Sequence, residues 1–365
     1  MGRDLTIDTV TPAELSPDEL TLWAGFVRAD ARFASPYFHP QFTRIAGEVA
    51  PGAAVSILHS RGRIVGFFPH QRRGAAAQPI GAPLNDYHAV ITAPDVEIPL
   101  ERVPDLIGAA SLNVNGWTGA GGGEGVMVRT TLQADLSAGW TAYDAERRAA
   151  FGKYFKDKDR ARRSLERDMG PAVVRTDGRD PARLDRLIAG PPGGGGGGGG
   201  RGATGGPWAW GWGLSADRHY HFWLPAYEAA AARYSPGIQL SLDTMRQGAA
   251  EGFAVFDYGF EGEPYKKYFC NRSRTVLEGV AHRSGLADAV TAAFAMAGAE
   301  GALAAGERLA NAGLALSVRR RWAAIDACET TVLGRARGIA AAAAAALNKT
   351  RASTAASALA AMTMF

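Results

Sequence analysis

Cysteine is scarce: the 365 residues hold two, Cys270 and Cys328. Two thiols build neither a disulfide framework nor a four-thiolate zinc site, and so low a usage fits a reducing compartment. The seven histidines are scattered without the spacing of metal ligands, so no metal is expected. His219 and His221 stand two apart and would share one face of a strand, where a solvent-facing pair is the expected reading. Long apolar runs are missing too. The longest, 289–299, lies between Asp288 and Glu300, short of the ~20 residues a membrane helix needs. The first ten residues are polar and acidic and lack the basic-then-apolar build of a secretory signal. Nor is there a strong excess of one charge: the net +4 leaves no nucleic-acid footprint, and the basic clusters 160–163 and 319–321 read as solvated helix faces. A cytoplasmic protein without a membrane span is expected.

What is present is a hydrophobic content of 47%, enough to bury cores in two domains. Glycine is unevenly placed. Pro191-Pro192 leads into eight consecutive glycines, Gly193 to Gly200, a composition that favours a flexible linker over 190–206. From 286 onward the chain is Ala-rich and helix-favouring, with seven consecutive alanines from Ala340 to Ala346. Three parts result: 1–170, 171–285 interrupted by the 190–206 linker, and a helical tail over 286–365.

In the first part, Ser16-Pro17-Asp18-Glu19 opens a helix to about Asp30, with Leu20, Trp23, Phe26 and Val27 as its apolar stripe. A second helix is predicted over 40–49. Strands over 53–58 and 63–68 flank His59-Ser60-Arg61-Gly62, a hairpin signal. The polar loop 81–88 carries Asn85, Asp86, Tyr87 and His88 in a row. It reads equally as a plain loop after a strand and as a pocket lining that offers acid, base and donors together. A helix over 99–110, a strand over 126–136 and a charged helix over 143–169 complete this part. In the second, Leu214 and 219–224 form a hairpin, and 275–282 alternates as a strand.

The chain is organised around 234–268. Ser235 is placed to cap a helix, Pro236 suits its first position, the helix runs over 238–251, and Gly252 ends it. The small Gly237 would let an anion approach free backbone N–H groups. A strand over 253–256 then runs into Asp257, Gly259, Glu261, Glu263, Tyr265 and Lys266. Read locally, Asp257 caps the strand end and Lys266 is a surface lysine.

This order of a Tyr-Ser-Pro-Gly helix, a strand, Asp257-Tyr258-Gly259 and Tyr265-Lys266 resembles the acyltransferases of the GNAT superfamily. More narrowly it resembles the BioF2-like or cellulose-biosynthesis CelD-like branch, related in fold to the FemAB peptidyltransferases. Gly62-Arg63-Ile64-Val65-Gly66-Phe67-Phe68-Pro69 and the 81–88 segment resemble the branch's N-terminal motifs, so the likeness spans about 20–282. It breaks at 190–206, where relatives carry structured residues. The resemblance implies an α+β (mixed α/β) fold: two GNAT-like halves with mixed, mainly antiparallel central sheets, followed by the helical tail. It implies acyl-CoA, in the simplest case acetyl-CoA, as co-substrate, its phosphates held by Ser235, Pro236, Gly237 and Ile238. A backbone N–H on a splayed strand would polarise the thioester carbonyl. Asp257 would serve as base, with Glu261 and Glu263 as weaker candidates. Tyr265 would be the acid to the leaving thiolate, and Lys266 would pair with phosphate or a substrate carboxylate. Asn85, Asp86, Tyr87 and His88 would bind the acceptor.

The function implied is N- or O-acyl transfer to a small-molecule or saccharide acceptor in exopolysaccharide or cell-envelope biosynthesis. Two alternatives stay open. One is FemAB-like aminoacyl or peptidyl transfer, the only reading that brings in tRNA. The other is a non-catalytic accessory binding protein of polysaccharide synthesis.

Overall fold

The computed structural model describes residues 5–123, 125–172 and 208–285, with positions 334, 337 and 338. The 190–206 linker, the helix predicted at 181–188 and the tail, those three positions apart, lie outside the described residues.

Ser16 opens the first helix by a reciprocal cap: its Oγ accepts from the Glu19 N–H, and the Glu19 carboxylate accepts from the Ser16 N–H at 2.7 Å. This helix, α1 (Pro17–Ala29), buries Trp23, Phe26 and Val27. The second, α2 (Pro40–Val49), lies where the sequence predicts it. The hairpin of β2 (Ala53–Ser60) and β3 (Arg63–Arg73) turns at Arg61 and Gly62, both left-handed at φ 50° and 73°. The helix predicted over 99–110 is a correction. Only two short turns form there, Leu100–Arg102 and Val103–Leu106, because Pro104 denies the segment an N–H donor just where the turns would join.

The remaining strands are β1 (Leu5–Val10), β4 (Ala76–Pro79), β5 (Ile91–Thr92), β6 (Ser111–Trp117), β7 (Val126–Asp135), β8 (Ala209–Ala216), β9 (His219–Tyr227), β10 (Val255–Phe260) and β11 (Arg272–His282). They join β2 and β3 in one 11-stranded sheet of order β1-β2-β3-β4-β6-β11-β7-β10-β9-β8, with β5 beside β3. The β4–β6 and β9–β10 pairs are parallel and the other pairings antiparallel. This is the mixed α+β class expected. The strands on either side of residue 170 share a single sheet, because β11 lies between β6 and β7.

The long helix α3 (Trp140–Met169) is charged along most of its length and buries only Tyr143, Arg147, Phe155 and Leu165. It carries α4 (Pro236–Ala250): Arg162 pairs with Asp243 at 2.5 Å, and the Gln239 amide donates to Lys158 O at 2.9 Å. Against them the sheet presents Phe222, Phe256 and Tyr258, packed with Met245. Because side chains alternate along a strand, Asp257, His219 and His221 point the other way. They meet Tyr37 and Tyr87, members of the core cluster built on α1. Among the described residues, no helix is long and apolar enough to cross a membrane.

Candidate active site

Asp257 stands where two parallel strands part. The β9–β10 ladder pairs His219 with Val255, Tyr220 with Phe256 and His221 with Asp257, and ends there, while β9 continues to Tyr227 and β10 to Phe260. The Asp257 side chain is 0% exposed. Its oxygens accept from the Gly259 N–H at 2.7 Å, the Gln133 amide at 2.7 Å and the Tyr87 hydroxyl at 2.9 Å, and His219 Nε2 lies 3.2 Å away. Burial by itself raises the pKa of this carboxyl. The His219 contact, the charges of His221 and His219 and the Gly259 N–H outweigh that and hold it well below the usual carboxylate range. Asp257 is therefore a fixed anion with its lone pairs in use.

His221 links this anion to the loop 81–88. Its Nδ1 is 3.8 Å from Asp257 Oδ1, and its Nε2 is 3.0 Å from Asp86 Oδ2. The imidazole is 1% exposed, whereas the Asp86 side chain is 25% exposed, so the carboxylate at the end of this chain of contacts reaches solvent. Burial lowers the His221 pKa, but the Asp86 hydrogen bond and the charges of Asp257 and Asp86 more than reverse this and raise it. The sequence expectation of a solvent-facing His219–His221 pair is thus corrected: β9 is covered on that face, and both rings are buried.

The loop residues divide. Asn85 shapes the backbone, its amide donating to Ile80 O and its carbonyl accepting from the Tyr87 N–H, both at 2.9 Å. Asp86 and Tyr87 enter the Asp257 constellation. His88 does not: its Nε2 accepts from the Asn115 N–H, its ring meets Trp117 edge-on, and burial pushes its pKa down to about 3.

His219, His221 and Asp257 bring one ligand-type atom each within 4.8 Å of one another, a donor set with the chemistry for a divalent transition metal. The fit is poor, because an ion would have to displace the N–H and O–H groups that Asp257 already accepts from.

The start of α4 differs from its expected form. Ser235 occupies the cap position in a left-handed conformation (φ 53°, ψ 52°), and its side chain makes no cap bond. Its Oγ accepts from Lys158 Nζ at 3.0 Å instead. The Ser235 N–H goes to Ala232 O and that of Ile238 to Ser235 O, while Pro236 has none. Of the four residues expected to cradle an anion, Gly237 is the one whose N–H takes no such bond, and Lys158 adds a cation beside it.

Lys266 is buried rather than on the surface. Its ammonium donates to Tyr258 O at 2.8 Å and Phe260 O at 2.5 Å and pairs with Glu263 at 2.7 Å. Those carbonyls lie on β10 where its register with β7 is broken between Asp257 and Phe260, so the lysine satisfies acceptors at an irregular strand end. All three of its donors are used within the chain. Tyr265 packs its ring on Tyr258 and Phe269, and burial pushes its pKa up to about 12. Glu261 and Glu263 are exposed.

Four contributors to the site were not read as functional: Gln133 from β7, Tyr37 from the turn Pro36–Phe38, and the two histidines. Arg274 of β11, whose guanidinium lies 5.4 Å over the Tyr87 ring, is a fifth. The two-residue spacing of His219 and His221 is a signal for the histidines alone; Gln133, Tyr37 and Arg274 carry none.

Three solved structures have related shapes. The C-terminal DUF2156 domain from Agrobacterium fabrum, whose parent is provisionally named a lysylphosphatidylglycerol synthetase, gives a TM-score of 0.36 at 12% identity, over 76% of this chain and 94% of that one. L-PGS from Bacillus licheniformis gives 0.37 at 11%, over 74% and 92%. The GCN5-related glucosamine N-acetyltransferase region of a fungal multi-domain GH3 β-N-acetylglucosaminidase gives 0.32 at 10%, over 76% and 38%. At these scores the three carry no weight in the functional reading. No curated protein matches the chain. Residues 202–267, the stretch that holds β8, β9, α4 and β10, match the family described as acetyltransferase (GNAT) domain.

Proposed function

We propose that this protein is an acyltransferase that moves an acyl group from acyl-CoA, in the simplest case acetyl-CoA, to an amine or hydroxyl of a small-molecule or saccharide acceptor. The observation that carries the reading is a coincidence of place. The GNAT-domain match falls on the parallel strands β9 and β10, whose ladder ends at His221–Asp257, and on the helix that joins them. A gap between parallel strands accepts an extended thioester arm, and a backbone N–H along it can polarise a carbonyl. The donor's phosphates lie at the α4 start, on the Gly237 N–H and the Lys158 ammonium, favoured by the helix dipole. An acceptor in exopolysaccharide or envelope synthesis is supported by the sequence resemblance alone.

Calorimetry of the purified chain with acetyl-CoA and longer acyl-CoA thioesters tests the donor. Release of free CoA thiol in the presence of amino and hydroxyl sugars tests the transfer. Saturable donor binding and acceptor-dependent thiol release are expected. A folded protein that binds no CoA thioester overturns the reading.

A further inference from the structure

Asp257 has the sequence position expected of a base but not the surroundings of one. It is sealed from solvent, and three groups donate to its two oxygens. A general base must come within hydrogen-bond reach of the proton it takes, directly or through one water. Asp86 has that access. Its Oδ2 lies against Gly259, where β10 has just left β9: a Cβ on that glycine would stand 2.7 Å from this oxygen, and φ there is +65°. The carboxylate therefore sits on the strand backbone beside the gap proposed for the thioester. A partly exposed side chain on a loop would ordinarily be mobile, but the buried ring of His221 fixes this one at 3.0 Å. That ring is wedged between Tyr37, at 5.0 Å between centroids, and Tyr87, at 5.9 Å.

We propose that Asp86 is the catalytic base of the acyl transfer and that His221 is its positioning residue, with Asp257 as the buried anchor behind both. The inference rests on the acyltransferase reading. In the step, the acceptor's N or O attacks the thioester carbonyl and forms the new C–N or C–O bond. Its proton passes to an Asp86 oxygen, the C–S bond breaks, and the electron pair leaves on the CoA sulfur. The thiolate is protonated from solvent, and Asp86 returns its proton to solvent. The carboxylate comes from the loop between β4 and β5, while the strands that hold the donor come after residue 208. Base and donor site thus belong to opposite ends of the described chain.

Asp86→Ala and Asp86→Asn are compared with wild type for acetyl-CoA affinity by calorimetry and for acceptor-dependent thiol release. Donor affinity should stay within twofold while kcat falls by about 10²–10⁴. Formate added to Asp86→Ala should restore part of the rate, because a small carboxylate can occupy the vacated place. His221→Leu should lower kcat without changing donor affinity. His221→Gln, which keeps an N–H for Asp86, should recover part of that loss. Thermal melting identifies any variant that is merely unfolded. Turnover of Asp86→Ala within threefold of wild type overturns the inference, as does a lost rate that formate leaves unchanged. Absence of acetyl-CoA binding by wild type instead removes the acyltransferase reading itself, so the two failures are distinguishable.

Discussion

The Asp86 carboxylate and the His221 imidazole meet at 3.0 Å across 135 positions of sequence. Neither element makes the contact alone: the loop brings an acid with one outward face, and β9 brings a ring that has none. Behind them Asp257 supplies a permanent charge. The arrangement turns a solvent-reaching side chain into one whose orientation is set by the interior.

Asp257→Asn measures that anchoring. A strand-end cap would cost about 1 kcal/mol on losing its charge. In its observed place, an amide NH2 would be set against the Gly259 N–H, the Gln133 amide or the Tyr87 hydroxyl, with the nearby imidazoles left unmatched. A loss of about 3 kcal/mol or more is expected in urea unfolding. A loss near 1 kcal/mol would return Asp257 to the simple cap.

Lys266→Met separates a structural lysine from a phosphate-binding one. Methionine keeps most of the buried stem but strands the Tyr258 and Phe260 carbonyls and leaves Glu263 without its cation. Destabilisation of about 2 kcal/mol or more is expected, with acyl-CoA affinity unchanged in the folded variant. Tenfold weaker donor binding at unaltered melting temperature would restore the phosphate role.

Gly237→Val probes the α4 start. The new Cβ has room, its nearest neighbour being Tyr227 Cδ1 at 3.6 Å, and valine is no worse a helix former than glycine. The branched side chain would nevertheless stand over the N–H proposed to meet phosphate. Folding should be kept while the donor saturation constant rises at least tenfold. An unchanged constant places the phosphates elsewhere.

His88 makes the fold acid-sensitive. Burial holds its pKa near 3, while the unfolded chain binds a proton near the ordinary 6.5. The unfolded state therefore binds more protons between these values. Stability from this group is complete above 6.5 and falls as pH drops toward 3, by up to about 1.4 kcal/mol per pH unit. His70, lowered by burial to about 4, acts in the same direction. His221 is shifted the other way, so its contribution is lost only as pH rises through its raised pKa. Asp257, held low, loses its contribution only as pH falls through its folded pKa, beneath this window. Urea midpoints should decline from pH 6.5 to 4.5, more shallowly in His88→Gln. Equal slopes for the two proteins would remove His88 as the cause.

Much of the scaffold was legible because its signals are local. Ser16 and Glu19 cap a helix by their own spacing, Arg61-Gly62 makes a turn by its own φ preference, and Gly252 ends α4 at φ 95°. The motif around Asp257 was legible as a place but not as a role. Two-residue alternation gives His219 and His221 one face; whether that face meets water depends on Tyr37 and Tyr87, more than a hundred positions away. Lys266 looked exposed because the broken register of β10 against β7, where the carbonyls it satisfies lie, is a property of two strands together. The short turns around Pro104 depart from the predicted helix for a simpler reason: a proline inside the segment has no N–H to donate.

The lodging of β11 between β6 and β7 bears on how the protein is made. A ribosome must deliver the chain through His282 before Ser111–Trp117 and Val126–Asp135 gain their shared neighbour. Until then both offer rows of bare N–H and C=O groups, an adhesive surface on a nascent chain. β6 and β7 thus wait on the last described strand. A gene divided at residue 170 would yield two pieces that must reunite by threading a strand into a slot, not by docking finished surfaces.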